Sequence, residues 1–405
     1  MSGKKVLFFA EAVTLAHVGR MLALSGLLHE AETELACSDA YAALVDRADV
    51  RRRSIRSIAP ATFLARLQAG RPAYTRAEIE AYVRDDLRVI AEVRPDVIVG
   101  DFRLSLSVSA RVAGVPYVNV TNAYWSPHAN PVFRAPSLSF ARAIPPAITD
   151  PIFRIARPFA FALHALPMNR VRRAYGLTAL PLDVRNVYCD GDLTLYADLP
   201  QLVPVEAAPR THRYIGPVLW SPVHEPPAWW REVIDGEPPI YVSLGSSGTA
   251  SALPAVIDAL RPLQSPIVVA TAGRAGALAG RERVWVTDFV AGNLICAKAC
   301  AVVCNGGSPA TLQALVHGVP VVGIATNLDQ YLNMGYIERY GAGILLRSDR
   351  ARAASVREAT RRVVHDAGMR DRARAVAELA GQTRAETEFP GALGSLLDRA
   401  LRPKA

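Results

Sequence analysis

The chain has 405 residues, 51% hydrophobic and 20% charged, with a net charge of +9 at neutral pH. That length fits two domains with cores of their own, and the ordinary globular composition excludes a low-complexity or membrane-embedded protein. Five cysteines scattered singly exclude a disulfide framework and fit a reducing cytoplasm.

In chain order, "KVLFFA" reads as a buried first strand rather than a signal peptide, because Glu11 follows the apolar run at once. "HVGRMLALSGLLHEA" has the apolar spacing of a helix, and "ETELACS" reads as a strand. The cationic cluster "RRRSIR", Arg51 to Arg56, has the charge to touch nucleic acid or anionic lipid, but reads as a solvated loop, so no nucleic-acid partner is expected. "YTRAEIEAYVRDDLRVIAEVRP" is a long amphipathic helix stopping at Pro95. It feeds "DVIVGD", a continuous apolar strand of the kind that parallel sheets bury on both faces. "SVSARVAGVPYVNVT" adds a helix, a turn and a strand.

From Ala123 to Tyr175 the alternation breaks. Proline, aromatics and arginine crowd this stretch, which reads as an irregular excursion shaping a ligand site, with Tyr124, Trp125 and Phe133 as lining residues. Its most apolar run, "PFAFALHALPMN", is too short to span a bilayer. "GDLTLYAD" returns to strand, and the proline density from about 206 to 237 marks a linker. A second alternation follows, with strands at "IYVSLGS", "PIVVAT", "RVWVTDF", "AVVCN", "PVVGIA" and "AGILL", and ends on an amphipathic helix. Cys296, Cys300 and Cys304 stand four apart, but a strand end and a helix face do not converge, so they read as small core residues rather than a metal site. The expected fold is α/β, with two Rossmann-like doubly wound domains facing each other across a cleft. The expected boundaries are 1–205, linker 206–237, second domain 238–385, and a C-terminal helix 386–405 packing back on the first domain.

Cys304 to Gln330, "CNGGSPATLQALVHGVPVVGIATNLDQ", reads as strand, glycine turn, helix, strand and polar loop. Asn305, Gly306, Gly307 and Ser308 form the turn. No cation stands there, so backbone N–H groups and the helix dipole would hold an anion. "VSLGSSG" supplies a second turn at Gly245, Ser246 and Ser247.

Together "VSLGSSG", "GVPVVGIATNLDQ", "GAGILL" and "RRAYGLTAL…DLTLYADLP" make the whole chain resemble the nucleotide-sugar glycosyltransferases of the GT-B fold that glycosylate macrolides, flavonoids, sterols and lipids. The resemblance implies an inverting, metal-independent transferase with no cofactor. A UDP- or TDP-sugar carrying a hexose or deoxyhexose is the co-substrate, and a small apolar or lipid-like hydroxyl compound the acceptor. His17 matches the catalytic base, although Ala16 replaces the usual glycine, and Asp101 its partner carboxylate. The two turns match the diphosphate site, Phe289 and Val290 the base contacts, and Asp329 with Gln330 the sugar-binding pair. Asn305, Pro309-Ala310 and Gln313 stand where the family has His, Gly-Thr and a ribose-binding Glu, which bears on donor choice. The alternatives are a catalytically silent nucleotide-sugar-binding homologue or partner subunit, and a related epimerase or phosphorylase. "RRRSIR" and "IFRIARPFAFALHALPMNRVRR" mix cations with apolar residues, and lipid-modifying members of the family dock on membranes, so a cytoplasmic monomer or homodimer with peripheral contact at the inner membrane face is expected.

Overall fold

A computed structural model describes residues 3–48, 50–138, 144–222, 225–245, 250–273, 278 and 280–400. The chain divides into two compact units, one of residues 1–130, 151–220 and 383–405, the other of 131–150 and 221–382.

The first unit is built on seven parallel strands: β1 (Lys5–Ala10), β2 (Glu32–Cys37), β3 (Arg51–Ser54), β4 (Val97–Asp101), β5 (Tyr117–Thr121), β6 (Leu193–Tyr196) and β7 (His212–Tyr214). Their order is β3-β2-β1-β4-β5-β6-β7. The continuous apolar runs follow from burial on both faces. Val6, Phe8, Val97, Val99, Val118 and Leu195 point into one core, Leu7, Phe9 and Ile98 into another on the opposite face. The C-terminal helix Ala385–Ala400 covers the first of these faces, with Phe389 fully buried and its ring 6.3 Å from that of Phe8.

The second unit holds six parallel strands: β8 (Ile240–Ser243), β9 (Ile267–Ala270), β10 (Val284–Thr287), β11 (Ala301–Cys304), β12 (Val321–Ala325) and β13 (Gly343–Arg347). Their order is β10-β9-β8-β11-β12-β13. Both sheets therefore reverse direction once, between β1 and β4 in the first and between β8 and β11 in the second. At such a switch point the loops leaving two neighbouring strands diverge and open a crevice at the carboxyl ends.

Three local readings change. "RRRSIR" is not a solvated loop: Arg51–Ser54 is the edge strand β3, paired with β2. Arg52 pairs with Asp39 and Asp46, Arg53 with the buried Glu34, and Arg56 with Asp85 at 2.7 Å. An edge strand without an apolar face carries no hydrophobic period, so the pattern hid it. The irregular excursion contains a long helix, Pro146–Ala174, which runs through Pro151, Pro158 and Pro167. Each proline removes one backbone donor, but side-chain packing along the helix, at Phe161, Ala165, Met168 and Val171, compensates. Residues 131–150 belong with the second unit rather than the first, and β7 takes residues 212–214 out of the linker. Ser137 N–H donates to the Thr326 carbonyl at 3.1 Å, Arg134 pairs with Glu338 at 2.8 Å, and Arg347 donates to the Ala135 carbonyl at 3.0 Å.

Candidate active site

In the first unit the switch point brings together the residues that follow β1 and end β4. Ala10 is in register with Asp101, and Glu11 N–H donates to the Asp101 carbonyl at 3.2 Å. The helix Leu15–Ser25 starts four residues after β1 and presents His17 in its first turn. Nδ1 of His17 lies 3.0 Å from Oδ1 of Asp101. One turn further on, Arg20 donates to Oδ2 of the same carboxylate at 3.1 Å, and to Oδ1 of Asn122 at 2.9 Å. Asn122 in turn donates to Asp198 at 3.1 Å. The carboxylate is thus held on both oxygens, while the imidazole keeps 20% of its surface exposed.

Burial alone would push the Asp101 carboxyl up, but the Arg20 guanidinium and His17 outweigh it and hold the pKa below the usual carboxylate range. An ionised Asp101 is suited to accept from Nδ1–H, the tautomer that leaves the lone pair on Nε2. Among the described residues only Nδ1 of the ring is hydrogen-bonded.

Phe102, the next residue, has a left-handed backbone (φ 55°), uncommon for a bulky side chain. That conformation lays its ring parallel to the His17 imidazole, with centroids 5.0 Å apart. Phe63, Tyr74 and Tyr188 surround Phe102 at 5.8, 6.3 and 5.2 Å, and Trp125 meets Tyr188 edge-on at 5.0 Å. A small cavity opens among Tyr74, Leu104, His164, Met168 and Tyr188. The buried Tyr74 hydroxyl has no hydrogen-bond partner among the described residues. The basic nitrogen therefore borders an aromatic, largely apolar environment. Of the three lining residues expected from sequence, Trp125 joins this cluster. Tyr124 is 1% exposed and belongs to the core, and Phe133 lies in the other unit. Phe102, Phe63, Tyr74 and Tyr188 were missed. The one available signal was that Phe102 follows Asp101 at a strand end.

In the second unit the turns after β8 and β11 meet at the other switch point. Ser243 is in register with Cys304. Gly245 has φ 64°, and a Cβ there would stand 3.1 Å from Nδ2 of Asn305. Asn305 is buried, and its Oδ1 accepts from Gly307 N–H at 3.1 Å. It therefore packs close against the first glycine turn, and it consumes one backbone donor at the start of the helix Ser308–Leu315. Pro309 lacks another. Ser246 and Ser247 lie outside the described residues.

Gly306 (φ 78°) is required twice over, by its backbone and because a Cβ would stand 2.7 Å from Cγ of the buried Met334. Gly306→Ala is expected to cost about 1–3 kcal/mol, read as a lowered midpoint in urea, and to loosen the turn. Asn333, not expected from sequence, donates to the Gly306 carbonyl and to Thr311 Oγ1, both at 2.8 Å.

The remaining expected donor residues are placed unequally. Ser308 is 2% exposed at the helix start. Gln313 donates to Ser221 Oγ at 2.8 Å, and its amide packs on Gly292. Phe289 is half-buried and Val290 buried, on a loop held by the Thr271–Asp288 hydrogen bond of 2.7 Å. Asp329 is half-buried in the first turn of the helix Leu328–Tyr340. Gln330 is 2% exposed, and its Oε1 accepts from Thr326 N–H at 2.8 Å, closing a capping box with Asn327. Its carbonyl oxygen thus holds up the loop that presents Asp329. Among the described residues no group of three or more His, Cys, Asp or Glu side chains is placed to hold a metal ion.

A family model described as "Erythromycin biosynthesis protein CIII-like, C-terminal domain" matches residues 255–393. The "PGL/p-HBAD biosynthesis rhamnosyltransferase" of Mycobacterium bovis (strain BCG / Pasteur 1173P2) is 43% identical over 383 residues, covering 94% of this chain and 85% of that one. An "inactive PGL/p-HBAD biosynthesis glycosyltransferase" of the same strain is 41% identical over 259 residues, covering 64% of this chain and 71% of that one. Among solved structures, the glycosyltransferase VinC in complex with DTDP superposes with a TM-score of 0.69 at 16% identity, over 98% of this chain and 100% of that one.

Proposed function

Since the chain is a glycosyltransferase of the GT-B family that glycosylates macrolides and lipids, we propose that it moves a hexose or deoxyhexose from a nucleotide diphosphate sugar to a hydroxyl of an apolar or lipid-like acceptor, with inversion and without a metal. The observation that carries this reading is the His17–Asp101 pair at the first switch point. Nε2 of His17 takes the proton from the acceptor hydroxyl as its oxygen attacks the anomeric carbon. Asp101 stabilises the imidazolium that forms. The bond to the diphosphate breaks in the same displacement, so the new glycosidic bond has the opposite configuration. The leaving diphosphate faces the turns at Gly245 and Asn305–Ser308 and the start of the helix that follows. Asp329 is assigned to the sugar hydroxyls, Gln330 to the loop that carries it, Phe289 and Val290 to the base, and Gln313 to the ribose.

The aromatic cluster around Phe102 supports an apolar acceptor, with the Tyr74 hydroxyl and His164 as its polar anchors. A relative named as a rhamnosyltransferase makes a deoxyhexose the first donor to try. In the same reading the enzyme is cytoplasmic, a monomer or homodimer, and touches the inner membrane face.

The test is product formation from TDP- and UDP-sugars with a panel of hydroxylated aromatic and lipid-like acceptors in EDTA. The expected result is a glycoside whose anomeric coupling shows inversion. Retention of configuration, or activity abolished by EDTA, would overturn the mechanism.

A second reading is favoured by a specific observation. One relative is named inactive, and Asn305 spends its side chain on the protein's own turn. A silent homologue would still bind TDP or UDP, raising the melting temperature by several degrees at ligand concentrations near 100 times Kd, where binding adds about 2.7 kcal/mol. It would give no product from any donor.

A further inference from the structure

The helix Pro146–Ala174 is apolar on two opposite sides. One side carries Phe161, Ala165, Met168 and Arg172, all buried in the first unit. At about 100° per residue, Ile152, Ile155, Phe159 and Leu163 fall within about 80° of one another on the opposite side. These four are 59%, 77%, 78% and 50% exposed. An isolated exposed leucine means little, but four large apolar side chains in one stripe mark a surface that is covered in use.

Charge identifies what covers it. From residue 151 to residue 182 the chain has five arginines and no acidic residue. Arg172 is taken up inside by Asp190 at 2.9 Å. Arg170 and Arg173 are exposed, and they continue the same stripe about two to three turns beyond Leu163. A line of isoleucine, phenylalanine and leucine that runs into arginines matches a helix lying in a bilayer interface: side chains enter the acyl boundary and guanidinium groups meet anionic headgroups. No helix among the described residues is long and apolar enough to cross a membrane, so the contact is made along a face. The other cationic cluster, Arg51 to Arg56, is engaged largely by Glu34, Asp39, Asp46 and Asp85 and does not compete for this role.

We propose that the face Ile152–Ile155–Phe159–Leu163, with Arg170 and Arg173, is the surface by which this protein docks on an anionic lipid bilayer. The same helix presses Phe161 against Trp125 at 6.5 Å, and so borders the aromatic cluster beside His17. Docking there sets the acceptor environment against the surface from which a lipid-like acceptor would arrive. This last step rests on the acceptor reading above. The docking test does not, because it needs neither donor nor turnover.

The full chain is floated with vesicles of phosphatidylcholine containing 30% phosphatidylglycerol and, separately, of phosphatidylcholine alone. Size-exclusion chromatography of the same samples gives the oligomeric state. The expected result is flotation with the anionic vesicles only, weakened by roughly tenfold or more in Ile155→Glu/Phe159→Glu and made insensitive to salt in Arg170→Gln/Arg173→Gln. Unchanged melting temperatures show that both variants are folded. Wild-type protein that fails to float, or a double glutamate variant that floats as well as wild type, overturns the proposal. A wild-type dimer that becomes a monomer in Ile155→Glu/Phe159→Glu overturns it too, and assigns the face to a second copy of the chain.

Discussion

His17→Ala is expected to lower kcat by about 10²–10⁴-fold, the usual worth of a positioned general base. The KM for the nucleotide sugar and the melting temperature should stay close to wild type. The split follows from where the residue stands. His17 is a fifth exposed in the first turn of its helix and, among the described residues, makes one hydrogen bond and one ring stack. Its removal costs little packing, and the donor turns lie in the other unit. Asp101→Asn should fall in the same range of kcat but differ in character. An amide can present its N–H₂ to the ring and favour the wrong tautomer, and it deprives Arg20 of its charge partner. Arg20 is itself buried and also holds Asn122. Asp101→Asn therefore lowers stability as well as rate, where His17→Ala lowers rate alone. Steady-state kinetics with thermal melting of both variants checks the pair. A His17→Ala enzyme with wild-type kcat sinks the assignment of the base.

That His17 and Asp101 meet was legible in the sequence because His17 opens the helix that follows β1 and Asp101 ends β4, and a doubly wound sheet forces the ends of β1 and β4 together. The glycine turn at Gly306 was legible for the same reason. What surrounds these points was not. Arg20, Asn122 and Asp198 look like unrelated polar residues until one helix and the segments after β5 and β6 converge at the carboxyl ends of the strands. The left-handed turn at Phe102 leaves no mark in composition, since any favourable sequence there would have been Gly or Asn. The helix Pro146–Ala174 was hidden by its prolines, local signals that its packing overrides. Gln330 shows a role that the motif left unread: its carbonyl oxygen caps the helix start beneath Asp329.

Arg103→Met is expected to destabilise the first unit by about 3–5 kcal/mol, the cost of leaving buried charges without their partner. Arg103 is fully buried between Glu11 and Asp86, themselves fully buried. It donates to Glu11 Oε2 at 3.0 Å, to Asp86 Oδ1 at 3.0 Å and to the Arg56 carbonyl at 2.7 Å, with its guanidinium 3.8 Å from the Tyr82 ring centroid. Burial works against this guanidinium, but Asp86 and Glu11 outweigh it and hold its pKa above the ordinary arginine value. Methionine fills much of the space and satisfies neither carboxylate. The position gives the cost a functional reading, because Glu11 leaves β1, Arg103 follows Asp101 and Phe102 off β4, and Asp86 comes from the helix Arg76–Val93. The trio therefore ties the segments that leave β1 and β4 to the helix Arg76–Val93, next to the proposed pair His17 and Asp101. Arg103→Met should show a melting temperature lower by roughly 10 °C and a reduced kcat even where it is folded, as the loop bearing Asp101 loosens. The triple variant Glu11→Gln/Asp86→Asn/Arg103→Met removes all three charges at once and should regain most of the lost stability, because the single variant is dominated by uncompensated charge rather than by lost volume. If the triple variant melts no higher than Arg103→Met, packing and not charge is what Arg103 contributes. If it regains stability without regaining kcat, the trio is confirmed as a positioning device for the loop that holds Asp101.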